Sequence, residues 1–337
     1  MENTLELKYT DFKSDQQVRW CPGCGDIAIM NSIQKAMATM GHKKEDYAII
    51  SGIGCSSRFP YYMATYGFHT IHGRAGAIAS GVKTANPNLS VWQITGDGDA
   101  LAIGGNHFIH EIRRNINLNI ILFNNEIYGL TKGQFSPTSK LGQKTKTSPF
   151  GTVETPFRPG ELVMGARGTF FARSIDSNTK LTTDLCIEAE KHQGTSVIEV
   201  LQNCVIFNDG AHNYINDKEF RDDRQILLEH GKPMIFGRNR EYGLILDKFK
   251  IKMVKIGENG IFENQILVHD AHETDPFFHM MLASMEPPFP VAMGVIRKVE
   301  APVYDHLVHK QIAEVQSTTP VRSMTDLFHS GPTWTIE

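Results

Sequence analysis

The stretch ITGDGDALAIGGNHFIHEIRRNINLNIILFNNEIYGLTKGQ, residues 94–134, decides the fold. Its opening apolar run ends at Thr95, Gly96-Asp97-Gly98-Asp99 makes a tight loop, and a helical pattern over 101–115 follows at once. A second apolar run, LNIILFNN (118–125), ends at Asn124-Asn125. Strand, loop, helix and strand in this order read as a βαβ unit, which brings both strand ends to the carboxyl edge of a parallel sheet. Open α/β sheets bind their ligands at that edge. Glycines on either side of Asp97 let the backbone come close to a phosphate, and the helix start offers unpaired N–H groups to an anion. Mg²⁺ takes oxygen ligands and shares them with phosphates. Asp97, the amide oxygen of Asn125 and the backbone carbonyl of Ile127 are therefore a candidate Mg²⁺ set. GDGD alone is more simply a turn. The strand–loop–helix–strand setting and the paired asparagines favour a diphosphate–metal site.

The same alternation extends on both sides. DIAIMNSIQKAMATM (26–40) predicts an amphipathic helix, YAIISGIGC (47–55) a buried strand closing in a loop, and 75–85 a helix of small residues that Pro87 ends. After a Gly/Ser/Thr/Pro/Lys-rich loop over 133–159 come FFARSI, a helix near 182–192 and SVIEVLQNC (196–204). The expected architecture is α/β: a mostly parallel sheet with helices on both faces over residues 1–209, with 210–337 as an appended C-terminal extension. That extension shows two strand-like pieces, YGLILD and KIKMVKIG, and a helical stretch over 276–285. It carries no motif of its own, and the chain shows no internal repeat.

A net charge of −3 supplies no basic surface for nucleic acid or for a polybasic membrane attachment. The polar N-terminus lacks a signal peptide's apolar run, and no stretch reaches the length of a membrane span, so a cytoplasmic protein is expected. In a reducing compartment its five cysteines are better metal ligands than disulfides. Cys21 and Cys24 form a CxxC across a Pro-Gly turn, Cys55 follows one predicted strand and Cys204 ends another. Four thiolates suit a [4Fe–4S] cluster, and they equally suit structural zinc. Their spacing leaves both readings open. Cys186 sits in a helical pattern and reads as a small buried residue.

Six segments, in order, resemble the β subunit of the 2-oxoacid:ferredoxin oxidoreductases: WCPGCGD (20–26), GIGCSSR (52–58), HTIHGRA (69–75), GDGDALAIGGNH (96–107), RRN (113–115) and NNEIYGLTKGQFSPTS (124–139). The likeness runs from about Trp20 to Asp209. It implies that thiamine diphosphate is the cofactor, with Mg²⁺ on Asp97, Asn125 and the Ile127 carbonyl. Gly96, Gly98, Asp99, Ser56 and His72 would line the diphosphate, with Tyr128, Leu130 and Thr131 nearby. By itself His72 reads as a satisfied core or turn histidine. The resemblance also decides the metal at the thiols: Cys21, Cys24, Cys55 and Cys204 would ligate a [4Fe–4S] cluster that takes electrons one at a time.

The implied reaction is decarboxylation of a 2-oxoacid with transfer of the acyl group to coenzyme A and of electrons to ferredoxin. Arg58 and Lys132 are suited to the substrate's carboxylates, although both also read as ordinary solvated cations. The family varies between Lys and Gly at the position of Lys132, which favours 2-oxoglutarate over pyruvate or branched-chain acids here. No glutamate falls in a motif for activating the cofactor's aminopyrimidine. The resemblance places that group and the coenzyme A site on an α subunit, which would make the complex obligate. The rival readings are a non-oxidative thiamine-dependent decarboxylase subunit and a zinc-stabilised binding subunit.

Overall fold

A computed structural model describes residues 7–129, 132–319 and 323–336. The first helix, α1 (Gly25–Thr39), precedes β1 (Tyr47–Ser51), β2 (Tyr66–His69) and α2 (Ala75–Ala85). Next come β3 (Ser90–Gly96), α3 (Asp97–Leu101), α4 (Gly105–Arg114) and β4 (Asn119–Asn124). Then follow α5 (Pro159–Gly165), β5 (Phe170–Ile175), α6 (Thr179–Lys191) and β6 (Ser196–Leu201). These strands and two later ones form an 8-stranded sheet in the order β2-β1-β3-β4-β6-β5-β11-β7. All pairings from β2 to β5 are parallel, as the sequence predicts.

Central parallel strands are covered on both faces, so they read as continuous apolar runs. β1, β4, β5 and β6 are buried along their whole length. Alternate side chains serve two cores. Ile49, Trp92, Ile94, Ile121 and Phe123 pack with Ile29, Ile33 and Met37 of α1 and Leu185 of α6. Ala48, Ile50, Val91, Ile120 and Leu122 pack with Ala79 of α2, Phe108 and Ile112 of α4 and Val163 of α5. Fully burying one such Ile or Phe contributes about 1.5–3 kcal/mol, so the sheet's register is strongly fixed.

The helix predicted over 101–115 is broken. It begins earlier, at Asp97, stops at Leu101 and restarts at Gly105. The chain folds back at Gly104, where a Cβ would lie 2.4 Å from the Asp99 carbonyl and 3.1 Å from the Cα of Gly73. That close approach brings the loop carrying His72 against the one carrying Asp99.

Residues beyond 210 contain α7 (Asn213–Asn216), α8 (Arg221–Arg224), β7 (Gln225–Leu228), β8 (Ile235–Phe236), β9 (Tyr242–Asp247) and β10 (Lys250–Lys255). They continue with α9 (Phe277–Ala283), β11 (Val291–Lys298), α10 (Tyr304–Thr318) and α11 (Met324–Phe328). β8, β9 and β10 make a separate antiparallel sheet. β7 and β11 extend the main sheet: β11 pairs antiparallel with β5 and parallel with β7. Neither strand stands out in sequence, because VAMGVIRK carries a glycine and a terminal Arg-Lys, and QILL is only four residues long.

Candidate cofactor and redox site

A cavity of about 260 Å³ opens at the carboxyl ends of β1, β3 and β4. This is where the strand order turns back on itself, the switch point at which such sheets hold ligands. Ser56, His72, Gly96, Asp97, Gly98, Asp99, Asn125, Ile127 and Tyr128 all line it, so most of the residues read from the sequence do converge. Leu130 and Thr131 lie outside the described residues. Register places Gly96 beside Phe123, which sets Asp97 and Asn125 just past neighbouring strand ends.

The two aspartates of GDGD have different surroundings. Asp99 is held from all sides. Its Oδ1 accepts from the Ile53 N–H (3.1 Å) and the Gly73 N–H (2.7 Å) and lies 2.6 Å from Nδ1 of His72. Its Oδ2 accepts from the Thr95 hydroxyl at 2.8 Å. Asp97 is equally buried: Ser136 and Thr138 each donate a hydroxyl to its Oδ2 at 2.5 Å, and the backbone N–H groups at the start of α3 face it as well. Burial pushes its carboxyl up to about 6 despite those donors. A buried carboxyl with no cation beside it is the donor that a hard metal ion relieves. Ser136 and Thr138 escape a reading by spacing, because they reach Asp97 from a loop 39 and 41 residues away.

Asn125 is also held in place. Its Nδ2 donates to Gln202 at 2.9 Å, its Oδ1 accepts from the Ile127 N–H at 3.1 Å, and its own carbonyl accepts from Asn208 at 2.8 Å. Glu126 takes a left-handed backbone (φ 55°), which turns the chain so that Ile127 and Tyr128 face the cavity. The Tyr128 hydroxyl donates to the Gly98 carbonyl at 2.7 Å. Its ring covers Gly98 so closely that a Cβ there would meet it at 2.3 Å. Gly98 is therefore required by the protein's own packing.

The thiols border the same cavity. Cys55 lines it, and a Cβ on Gly129 would lie 3.4 Å from the sulfur of Cys55 and 3.9 Å from that of Cys204. The CxxC turn closes through a 3.0 Å bond from the Cys24 N–H to the Cys21 carbonyl, with Gly23 at φ 81°. Trp20 Nε1 donates to the Cys55 carbonyl at 2.6 Å and anchors that loop. Burial, Asp26 and the neighbouring Cys204 and Cys21 push the Cys55 thiol up to about 11. Cys24 is raised by burial, Asp26, Cys204 and Cys55. The four thiols thus lie within electrostatic reach of one another. Among the described residues no three His, Cys, Asp or Glu side chains meet tightly enough to hold a single ion. Cys186 is fully buried in the core beside α1, as expected.

Asp26, a site residue that sequence reading treats only as a helix start, is buried against both groups. It lines the cavity, its Oδ2 has no hydrogen-bond partner among the described residues, and burial pushes its carboxyl up to about 7. Arg58 and Lys132 are exposed and do not line this cavity. Arg58 instead lines an adjoining one with Arg19 and His69, which shares Ile53 and Gly54 with the first.

Residues 52–200 match the thiamine pyrophosphate enzyme C-terminal TPP binding domain, so the cavity lies within a thiamine-diphosphate-binding domain. The 2-oxoglutarate oxidoreductase subunit KorB of Mycobacterium tuberculosis is 46% identical over 334 residues, covering 98% of this chain and 89% of that one. This chain belongs to the 2-oxoacid:ferredoxin oxidoreductase β subunits. A 2-oxoglutarate synthase subunit KorB from Archaeoglobus fulgidus is 42% identical over 202 residues, 59% of this chain and 75% of its own. Among solved structures, a 2-oxoglutarate:ferredoxin oxidoreductase from Magnetococcus marinus superposes with a TM-score of 0.79 at 31% identity, covering 98% of both chains. That structure holds 2-oxoglutarate, coenzyme A and succinyl-CoA. The family is one of oxidoreductases, so this chain is an enzyme subunit with the fold that the sequence predicts. Among the described residues no helix is long and apolar enough to cross a membrane.

Proposed function

We propose that this chain is the cofactor-holding subunit of a cytoplasmic 2-oxoglutarate:ferredoxin oxidoreductase. With an α subunit it would convert 2-oxoglutarate and coenzyme A to succinyl-CoA and CO₂ and pass electrons to ferredoxin. Bound thiamine diphosphate supplies the electron sink for decarboxylation, and a [4Fe–4S] cluster the one-electron acceptor. The observation that carries the reading is that Cys55 and Gly129 both line the diphosphate cradle, with the sulfurs of Cys55 and Cys204 close against Gly129.

The residues fit these groups. Asp97, Asn125 and the Ile127 carbonyl offer oxygen ligands for Mg²⁺, and no cation already neutralises the Asp97 carboxyl. His72, pinned through Nδ1 to Asp99, keeps Nε2 for a phosphate oxygen. Gly96, Gly98 and Ser56 leave room for the diphosphate, with Tyr128 beside it. Cys21, Cys24, Cys55 and Cys204 supply one thiolate for each iron of a cubane, which asks four sulfurs to surround a space and not to meet at one ion. That need favours the cluster over zinc. Arg58 and Lys132 stand outside the cradle, as cations that would meet a substrate's carboxylates when the partner subunit closes over it. Residues 210–337 form the extension that buttresses the sheet and offers surface to that partner.

The test is anaerobic co-expression of the α/β complex. Brown protein containing thiamine diphosphate, an EPR signal after dithionite reduction, and coenzyme A-dependent reduction of ferredoxin by 2-oxoglutarate are expected. A colourless complex retaining thiolate-bound zinc would overturn the proposal.

A further inference from the structure

Behind the phosphate-binding loop lies a buried pair that the chemistry above does not use. Glu111 of α4 is 2% exposed and Gln93 of β3 is 3% exposed. Nε2 of Gln93 donates to Oε1 of Glu111 at 3.1 Å. The remaining oxygens, Oε2 of Glu111 and Oε1 of Gln93, have no partner among the described residues. Two unpaired buried acceptors side by side cost free energy, and a carboxylate there costs more. A single proton on Glu111 removes both faults, because a carboxylic acid and a carboxamide close a ring of two hydrogen bonds. The opposite amide orientation would set an acceptor against an acceptor and would also need the proton.

We infer that Glu111 is a neutral acid in the native protein, and that its acid–amide ring with Gln93 positions the cofactor-binding loops. Gln93 lies on β3, four residues before Asp97, which follows directly where that strand ends. The carboxyl of Glu111 rests directly on α2, where a Cβ on Gly76 would meet its Oε2 at 2.2 Å. α2 begins just after His72 and Gly73, two of the four residues that hold Asp99. One side chain therefore joins β3, α2 and α4, the elements that flank the loops of the diphosphate cradle.

No charged group on the elements packed around this seam acts on Glu111: on α4 itself Arg113 bonds His110, Arg114 is exposed and His107 is half-buried. Lys83 of α2 gives its amino group to the carbonyls of Pro87 and Leu89. On α3, Asp97 and Asp99 have the partners described above, and Glu161 of α5 pairs with Arg158. On α10, Asp305 accepts from the Asn117 N–H and His309 bonds the Thr84 carbonyl. Only burial and the Gln93 bond act on Glu111, and burial wins, pushing its carboxyl up to about 8. The sign follows by linkage: a raised acid contributes its stability fully below the unfolded value of 4.5 and loses it as pH rises through about 8.

The test uses the holo α/β complex, with retention of thiamine diphosphate and Mg²⁺ measured by calorimetry between pH 6.5 and 9.5. Wild-type affinity should weaken towards about tenfold per pH unit above pH 8. Glu111→Gln keeps a hydrogen-bonded amide and should stay within about twofold of its own neutral-pH value. Glu111→Leu should bind weakly at every pH, which makes the conservative variant a rescue. A Glu111→Gln profile that tracks the wild type would overturn the inference. Infrared spectroscopy of the wild-type complex at pH 7, with ¹³C-labelled glutamate, gives an answer independent of any variant's folding. A protonated carboxyl band that disappears near pH 8 is expected, and its absence overturns the assignment.

Discussion

The cradle and the thiols share a wall but are held in opposite ways. On the cradle side the protein supplies most of the polar partners: four donors surround Asp99, two hydroxyls reach Asp97, and Tyr128 is tied to Gly98. On the thiol side Gln202 lies 3.5 Å from the sulfur of Cys24 and the Asp26 backbone reaches the same sulfur, while burial and the neighbouring acidic groups raise both Cys24 and Cys55. The first site is preorganised by the protein's own hydrogen bonds. The second is electrostatically incomplete, and positive charge from a metal group is what would complete it.

The contrast implies that the two sites can be broken separately. Cys55→Ser should abolish ferredoxin reduction and bleach the visible cluster absorption while leaving thiamine diphosphate content unchanged; parallel loss of the cofactor would show the sites to be one unit. Asp97→Asn should do the reverse, weakening cofactor binding by at least about 100-fold with the absorption intact, as measured by calorimetry on the brown complex. The same change should stabilise the cofactor-free complex. Asp97 is raised from 3.8 to about 6, so its stability contribution is present below pH 4 and lost as pH rises through 6. At about 1.4 kcal/mol per unit, Asn should gain up to about 3 kcal/mol at pH 7.5 and nothing near pH 4, read by denaturant titration.

Smaller effects sharpen the picture. Lys132→Ala should raise the KM for 2-oxoglutarate about tenfold and leave any pyruvate activity unaltered, since one charged hydrogen bond is at stake. An equal effect on both substrates would remove Lys132 from the choice between them. Trp20→Phe deletes only the bond to the Cys55 carbonyl and should cost about 1 kcal/mol in thermal unfolding, with faster oxidative bleaching of the cluster.

What sequence reading captured and what it missed follow from the range of the interactions. Asp97, Asn125 and the βαβ unit are visible because glycines, apolar runs and strand ends lie within 41 residues of continuous sequence. Ser136 and Thr138 are invisible to that reading, since a loop with no periodicity delivers them to Asp97. The interruption at Gly104 is equally hidden, because its cause is the backbone of Gly73 from another loop. β2, fully exposed along Tyr66–His69, has no alternation to read. Arg58 reads as a substrate cation from its charge and its place just after Cys55, and neither says which side of Ile53 and Gly54 its side chain will occupy.

The placement of β11 has a consequence for how the chain is made. β5 is complete by Ile175, but its outer partner starts at Val291, and β7 attaches only through β11. During synthesis the cofactor half can therefore assemble while the β5 edge waits, unpaired, for most of the remaining chain to emerge. Contacts so distant in sequence close slowly, and an open strand edge invites the wrong neighbour. A ribosome that stalls before Val291 would release a protein able to build its cradle yet prone to aggregate through β5.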